Sequence, residues 1–318
     1  MEAYIFEQNG GRENLKKVTL NTPALQEGEV LIKTKAIGIN PIDIQVRHSK
    51  DMLSMITGGK VPQQVILGWD VAGIIEDVGE NVIGFKSGDE VYGLVNMPGL
   101  GATCATNVVA SASQLAHKPD ILNFTAAGAT PMAALTAWQA VITLGEIKAG
   151  EKVLIHAASG GVGHFAVQLA KNLGAYVIGT ASAKNEFFVR NLGVDEFIDY
   201  TAQPFEQQVH DVDVVIDTIN SVEHLLRSVQ VIKKNGRLVY LQPHFAGAIQ
   251  AQLDMAGVSG FGVFVHSSAE VLNEISALIA EGKITPQVTQ EFKFDQLREA
   301  QFVVESGRAT GKIVVNVN

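Results

Sequence analysis

The rhythm of apolar and polar positions changes near residue 150. Up to about residue 120, short runs rich in β-branched residues, at 30–36, 71–78 and 90–94, are separated by glycine and proline. Runs of that length bounded by turn formers predict strands, so the first region reads as an all-β module. From 152 the texture becomes apolar runs alternating with helical patterns: 152–157, then 162–173, 176–180 and 184–192. The alternation continues through 196–200, 213–219, a helix near 222–232, and strands at 237–241 and 262–266. Such alternation predicts βαβ units, and six parallel strands would complete a doubly wound sheet. The tail offers a helix at 269–281, a strand near 288–294, a helix from 296 to about 305 and a strand at 312–317. It is too short for a domain and is expected to pack onto one already formed.

Composition narrows the class of partner. A chain of 318 residues with 47% apolar content has the size of two domains, both able to bury a core. Its 24 Lys and Arg against 33 Asp and Glu give a formal charge of −9, which argues against nucleic acid as the main partner. Cys104 is the sole cysteine, so an intrachain disulfide and any site of several thiolates are excluded. The eight histidines are scattered without an H-x-x-x-H pair, and no metal site is expected. Lacking both a long apolar run and the layout of a secretory signal, the chain is expected in the cytoplasm, with no membrane partner.

The strand at 152–157 runs into Ala158-Ser159-Gly160-Gly161-Val162-Gly163, and an amphipathic helix follows at once. Set against G-x-G-x-x-G, Ala158 replaces the first glycine while Gly160 and Gly163 hold the second and third places. Gly160 would let a pyrophosphate approach the backbone, Gly163 would let helix and strand pack closely, and the N–H groups at the helix start would face the phosphates. The next strand decides which dinucleotide. An NAD site carries Asp or Glu about 20 residues after the loop. Here that strand ends Thr180-Ala181-Ser182-Ala183-Lys184-Asn185, with no carboxylate before Glu186. Hydroxyls and an ammonium suit a 2′-phosphate that a carboxylate would repel, so NADPH is the expected cofactor. A helix cap for Ser182 and a solvated Lys184 remain open alternatives.

Two further segments carry a family resemblance. Leu67-Gly68-Trp69-Asp70-Val71-Ala72-Gly73 continuing to Val78-Gly79, with Phe85-Lys86-Ser87-Gly88-Asp89-Glu90-Val91-Tyr92-Gly93, resembles the signature of the medium-chain dehydrogenase/reductase family. Gly38-Ile39-Asn40-Pro41-Ile42-Asp43 is similar to a segment of its zinc-free quinone oxidoreductase (zeta-crystallin-like) branch. With the phosphate loop, the likeness spans nearly the whole chain. It implies an α/β architecture: a GroES-like β-rich catalytic domain from residues 1–124 and 267–318, around a Rossmann NADPH-binding domain at 125–266. Zinc-dependent members carry a catalytic cysteine where this chain has Asn40 or Pro41, and a His-Glu pair where it has Trp69-Asp70.

The resemblance also distributes roles. It implies that Asn40 lies beside the nicotinamide and the substrate carbonyl, and that Thr130 approaches the same ring, with a turn residue and a helix cap as their plainer readings. Both are the candidate catalytic residues. Asp217-Thr218 is similar to a family D-x-[VI]-G segment in which Asn220 here replaces glycine. Leu241, Pro243, Phe264 and Val265 fall at later strand ends, where open α/β sheets bind ligands, and Lys312 belongs to a closing G-K segment. With Ser159, Gly160, Gly161, Val162, Gly163, Thr180, Ser182 and Lys184 they complete the expected cofactor set. Hydride transfer without zinc suits a small quinone, with conjugated enones and alkenals as the alternative and a non-catalytic NADPH-binding role as a third. A homodimer joined through the last nucleotide-domain strand, 260–265, is expected from the same resemblance.

Overall fold

A computed structural model describes residues 1–317. The chain forms two compact units, Met1–Leu135 with Val265–Asn318, and Thr136–Phe264.

The first unit begins with β1 (Glu2–Phe6), β2 (Lys16–Thr19) and β3 (Glu29–Ile39), then two helices, α1 (Pro41–His48) and α2 (Lys50–Ile56). The strands β4 (Val65–Ile66), β5 (Asp70–Val78), β6 (Glu90–Leu94), β7 (Asn107–Ser111) and β8 (Leu115–His117) follow, with α3 (Phe124–Gly128) and α4 (Pro131–Trp138) after them. Alternate residues of β3 point inward, and Val30 and Ile32 join Val71, Ile75, Val91 and Val108 in one core cluster. The expectation of an all-β module is corrected by α1 and α2. Their start signals are present in the sequence. Asn40 precedes Pro41, and the Asp43 carboxylate accepts the Asn40 N–H at 2.8 Å; Ser49 Oγ accepts the Met52 N–H at 3.2 Å. His48 therefore ends α1. Because α3 packs on β3 and β5, the first unit reaches Leu135, beyond the boundary the sequence suggests at 124.

The second unit holds β9 (Lys152–Ile155), α5 (Gly163–Asn172), β10 (Tyr176–Ala181), α6 (Glu186–Asn191) and β11 (Glu196–Asp199). Then come β12 (Val212–Asp217), α7 (Val222–Gln230), β13 (Ile232–Tyr240), α8 (Ala246–Ala256) and β14 (Ser259–Gly262). The six strands are parallel in the order β11-β10-β9-β12-β13-β14. That order reverses direction between β9 and β12, which is where ligands bind open sheets of this kind. The last strand lies earlier than expected. Its pairing with β13 runs from Arg237↔Ser259 to Tyr240↔Gly262, so Phe264 and Val265 stand beyond the ladder.

The tail forms α9 (Ala269–Ala280), β15 (Val288–Lys293), α10 (Leu297–Glu305) and β16 (Lys312–Asn316). As the short tail requires, it joins a sheet already formed: β16 pairs antiparallel with β3, and β15 parallel with β16. The ladder brings Lys312 to the end of β3, next to Asn40.

Candidate functional site

Ile155 ends β9, and the chain turns through Ala157 at φ 48° before α5 begins at Gly163. A Cβ on Gly163 would lie 2.1 Å from the Ala157 carbonyl oxygen, so only glycine allows this close approach of helix and loop. Val162, at the N-cap position, makes no side-chain capping bond. The first N–H groups of a ten-residue helix are thus left without a side-chain cap, and the half-buried Gly160, Gly161 and Val162 form the face that a pyrophosphate would meet. Ser159 is buried, and its Oγ accepts Asn185 Nδ2 at 3.0 Å, which ties this loop to the one after β10.

At the end of β10, Ser182 is half-buried and makes no capping bond, while Lys184 is exposed. Glu186 is engaged by Arg190 Nε at 2.8 Å. Two neighbours escaped the sequence reading because they arrive from another strand. Tyr200 is exposed, and its backbone N–H reaches Ala181 O at 3.3 Å. Asp199 pairs with Ala181 across the ladder, and its Oδ1 is taken by the Thr201 N–H at 2.9 Å and hydroxyl at 2.7 Å. These bonds hold the Asp199 carboxyl below its usual range. The tyrosine could have been found by noting that 196–200 ends beside 176–180 in a parallel sheet.

Thr180 and Asp217, both expected at the cofactor, are buried, and their side chains belong to a hydrogen-bond chain inside the unit. Ser228 Oγ donates to Asp217 Oδ2 at 2.7 Å and lies 3.2 Å from His156 Nε2. Since the hydroxyl proton goes to the carboxylate, His156 Nε2 carries the hydrogen in this bond. His156 Nδ1 then accepts the Thr180 hydroxyl at 3.1 Å. His224 Nδ1 meets the same Asp217 oxygen at 2.8 Å, and Asp217 Oδ1 takes the Ile219 N–H at 2.9 Å. Burial pushes His156 down to about 3, so the imidazole is neutral. Burial alone would raise Asp217, but its hydrogen bonds from His224 and the Ile219 N–H hold it low. Thr218, half-buried, donates to His156 O at 3.1 Å and fixes the turn after β12.

In the first unit, Asn40, Asp43, Asp70, Thr130 and Lys312 are all buried. Asn40 Nδ2 donates to Asp70 Oδ2 at 2.8 Å and, more weakly, to Gly38 O at 3.4 Å. Its Oδ1 accepts from Lys312 Nζ, which also reaches Ile39 O at 3.2 Å and stands 3.6 Å from Asp70 Oδ2. The amide expected to face a substrate oxygen is thus engaged on both its nitrogen and its oxygen. Asp70 Oδ1 accepts the Met132 N–H at 2.7 Å, fixing the start of α4. Thr130 sits at that helix start, with its hydroxyl donating to Ala126 O at 2.7 Å. A Cβ on Gly38 would come within 2.6 Å of Asp70 Oδ2 and 2.4 Å of Gly128 O, so the cluster needs glycine there. One ammonium faces two carboxylates. Burial, with Asp70 nearby, pushes Asp43 up to about 7; burial also raises Asp70 and lowers Lys312.

Of the remaining expected residues, Leu241 is half-buried, its N–H on Asp217 O at 3.3 Å, and Pro243 is exposed. Phe264 is 46% exposed and Val265 half-buried. Neither has the strand geometry on which its expected role was based.

Comparison with known proteins agrees with both halves of this picture. Residues 26–146 match a family described as an alcohol dehydrogenase GroES-like domain, and residues 192–315 one described as a zinc-binding dehydrogenase. A mitochondrial NAD(P)H oxidoreductase of Danio rerio is 33% identical over 358 residues, covering 100% of this chain and 91% of that protein. A chloroplastic NADPH-dependent alkenal/one oxidoreductase of Arabidopsis thaliana is 33% identical over 325 residues, covering 99% and 79%. The solved quinone oxidoreductase of Coxiella burnetii superposes with a TM-score of 0.93 at 32% identity, covering 100% of this chain and 99% of that one. The second description implies zinc, and the residues here do not fit it. Trp69 is fully buried, with its indole N–H on Gly99 O at 2.8 Å, Asn40 offers an amide, and Asp70 already faces the Lys312 ammonium. The uncapped helix start and its glycine approach do fit a nicotinamide dinucleotide. With an uncapped phosphate loop on a six-stranded parallel sheet, a GroES-like first unit and relatives that match nearly the whole of this chain, the chain belongs to the medium-chain dehydrogenase/reductase family and is an oxidoreductase of nicotinamide cofactors.

Proposed function

We propose that the protein is an NADPH-dependent reductase that delivers hydride to a quinone without zinc. The observation that carries the cofactor choice is the end of β10: half-buried Ser182 without a capping partner, exposed Lys184, and no carboxylate on that strand end before Glu186. Asp199, the nearest carboxylate from the adjoining strand, already accepts two bonds from Thr201. Exposed Tyr200 is tied to the same strand end by its backbone N–H on Ala181 O. A phosphate there gains charge-assisted bonds, which are about twice as strong as neutral ones. In this reading Gly160, Gly161 and Val162 receive the pyrophosphate, and the bound nicotinamide supplies the hydride.

Asn40 acts in this account as a positioning residue: it links Asp70 to Lys312 and starts α1. Without a Lewis acid the acceptor must stabilise much of its own developing charge, which favours quinones and conjugated enones over simple ketones. The enone reading has its own support in the alkenal/one reductase relative. NADPH oxidation with a panel of quinones, enones and simple ketones tests both. Turnover with quinones above enones supports the quinone assignment, the reverse order supports the enone one, and tight binding without turnover leaves a binding protein. For the cofactor, Lys184→Ala should raise the apparent KM for NADPH about tenfold, with little change for NADH; equal effects would contradict the assignment.

We further propose a homodimer joined at β14. That strand ends the six-stranded order, and its residues are exposed or half-buried. A monomer at micromolar concentration in sedimentation would contradict this.

A further inference from the structure

We propose that His224 reads the adenosine half of the bound dinucleotide through its Nε2, with Asp217 holding the ring in place. The inference rests on the nicotinamide-dinucleotide reading and adds a residue to it. His224 stands in the first turn of α7, where Ser221 Oγ accepts its backbone N–H at 3.3 Å. Its Nδ1 is fixed on Asp217 Oδ2 at 2.8 Å, which directs Nε2 to the opposite side of the ring. The ring lies edge-on to His156, with centroids 4.5 Å apart, and 5.1 Å from Phe205. Nδ1 and both ring neighbours are thereby accounted for. The side chain remains 15% exposed. A ring held at the margin of the core by Asp217, His156 and Phe205 offers its remaining nitrogen as a prepared contact.

Its location selects the ligand. Asp217 closes β12 and His156 follows β9, the two strands between which the sheet order reverses, and His156 Nδ1 reaches Thr180 near the end of β10. A single imidazole thus separates His224 from Thr180, two residues before Ser182 on the strand end that would receive the ribose phosphate. The pyrophosphate site at Gly160–Gly163 follows directly from the His156 strand. A ligand spanning these two points presents its adenosine, with a heteroaromatic base and ribose hydroxyls, to this corner.

A cation would be another use for the same side chains, since one ligand atom from each of His156, Asp217 and His224 lies within 4.8 Å of the others. The Ser228 hydroxyl argues against it. It bridges His156 Nε2 and Asp217 Oδ2, so a metal would have to break both bonds and remove the Nε2 hydrogen.

The test uses the full-length protein, with NADPH and 2′-phospho-ADP-ribose as calorimetric titrants, the second lacking nicotinamide. His224→Asn keeps a donor where Nδ1 meets Asp217 and removes the atom at Nε2. It should weaken both titrants by the same factor, about 5- to 10-fold. His224→Gln, whose amide reaches further, should restore part of the loss. Without any substitution, 2′-phospho-ADP-ribose should protect His224 from diethyl pyrocarbonate, read by peptide mass spectrometry. Unchanged affinity in His224→Asn, or undiminished labelling of His224 in the complex, would overturn the inference while leaving the cofactor reading intact. Failure of the wild-type protein to bind either titrant would remove both together.

Discussion

In the first unit burial encloses two carboxyl groups beside one lysine, whereas in the second it encloses one carboxylate, Asp217, beside a neutral imidazole that lies between two hydroxyls. Both clusters satisfy most of their hydrogen bonds, and both anchor the turns next to a strand end. Yet Asp43 shifts up, to about 7, while His156 shifts down, to about 3. Burial penalises the charged form in each case, and the charged form is the deprotonated one for the acid and the protonated one for the base. The same physical cost therefore gives the two units opposite responses to pH. The second cluster also closes on itself through Ser228, whereas the first leaves Asp43 Oδ1 without a partner.

Removing the ammonium breaks the comparison most severely. Lys312→Met leaves Asp70 and Asn40 facing no cation and should cost about 3–5 kcal/mol, read as a lower urea midpoint. Adding Asp70→Asn to that variant should recover a large part. Opening the second cluster is milder. Ser228→Ala strips a donor from Asp217 and an acceptor from His156, at about 1–3 kcal/mol.

The pH responses sharpen the contrast. For Asp43 the native state binds more protons than the unfolded chain between the ordinary value of 3.8 and about 7, so its contribution to stability falls as pH rises through that window. Asp43→Asn should gain on the wild type steadily over the same interval in urea titrations. For His156 the unfolded chain binds the extra proton between 6.5 and about 3, so stability falls as pH drops. His156→Gln should gain on the wild type only on that acid side. Parallel slopes for the two variants would refute the opposed roles. Smallest is Thr180→Val, which removes one hydroxyl from His156 Nδ1 and should cost about 1 kcal/mol with little change in the response to pH.

What the sequence revealed depended on whether a feature was local. The βαβ rhythm after residue 150, the glycine loop and the absence of a carboxylate after β10 are written in consecutive residues, and the parallel sheet follows from them. Helix α1 was equally local, in Asn40-Pro41 followed by Asp43, but its signal was read as part of a family segment. The buried clusters were not legible. Lys312 meets Asn40 only because β16 pairs with β3 across the chain, and His156 meets Thr180 and Ser228 only when β9, β10 and α7 are assembled. Three residues assigned to ligand or substrate, Thr180, Asp217 and Asn40, turned out to spend their side chains on these assemblies. The last strand was misplaced by three residues at its start, because an apolar run continues beyond the point where its partner ends.

The cofactor choice bears the most weight, and direct calorimetry on the wild-type protein with NADPH and NADH addresses it. The end of β10 predicts that NADPH binds at least about tenfold tighter, an advantage that shrinks with added salt as the phosphate contacts are screened. NADH binding as tightly as NADPH, or more so, would contradict the account.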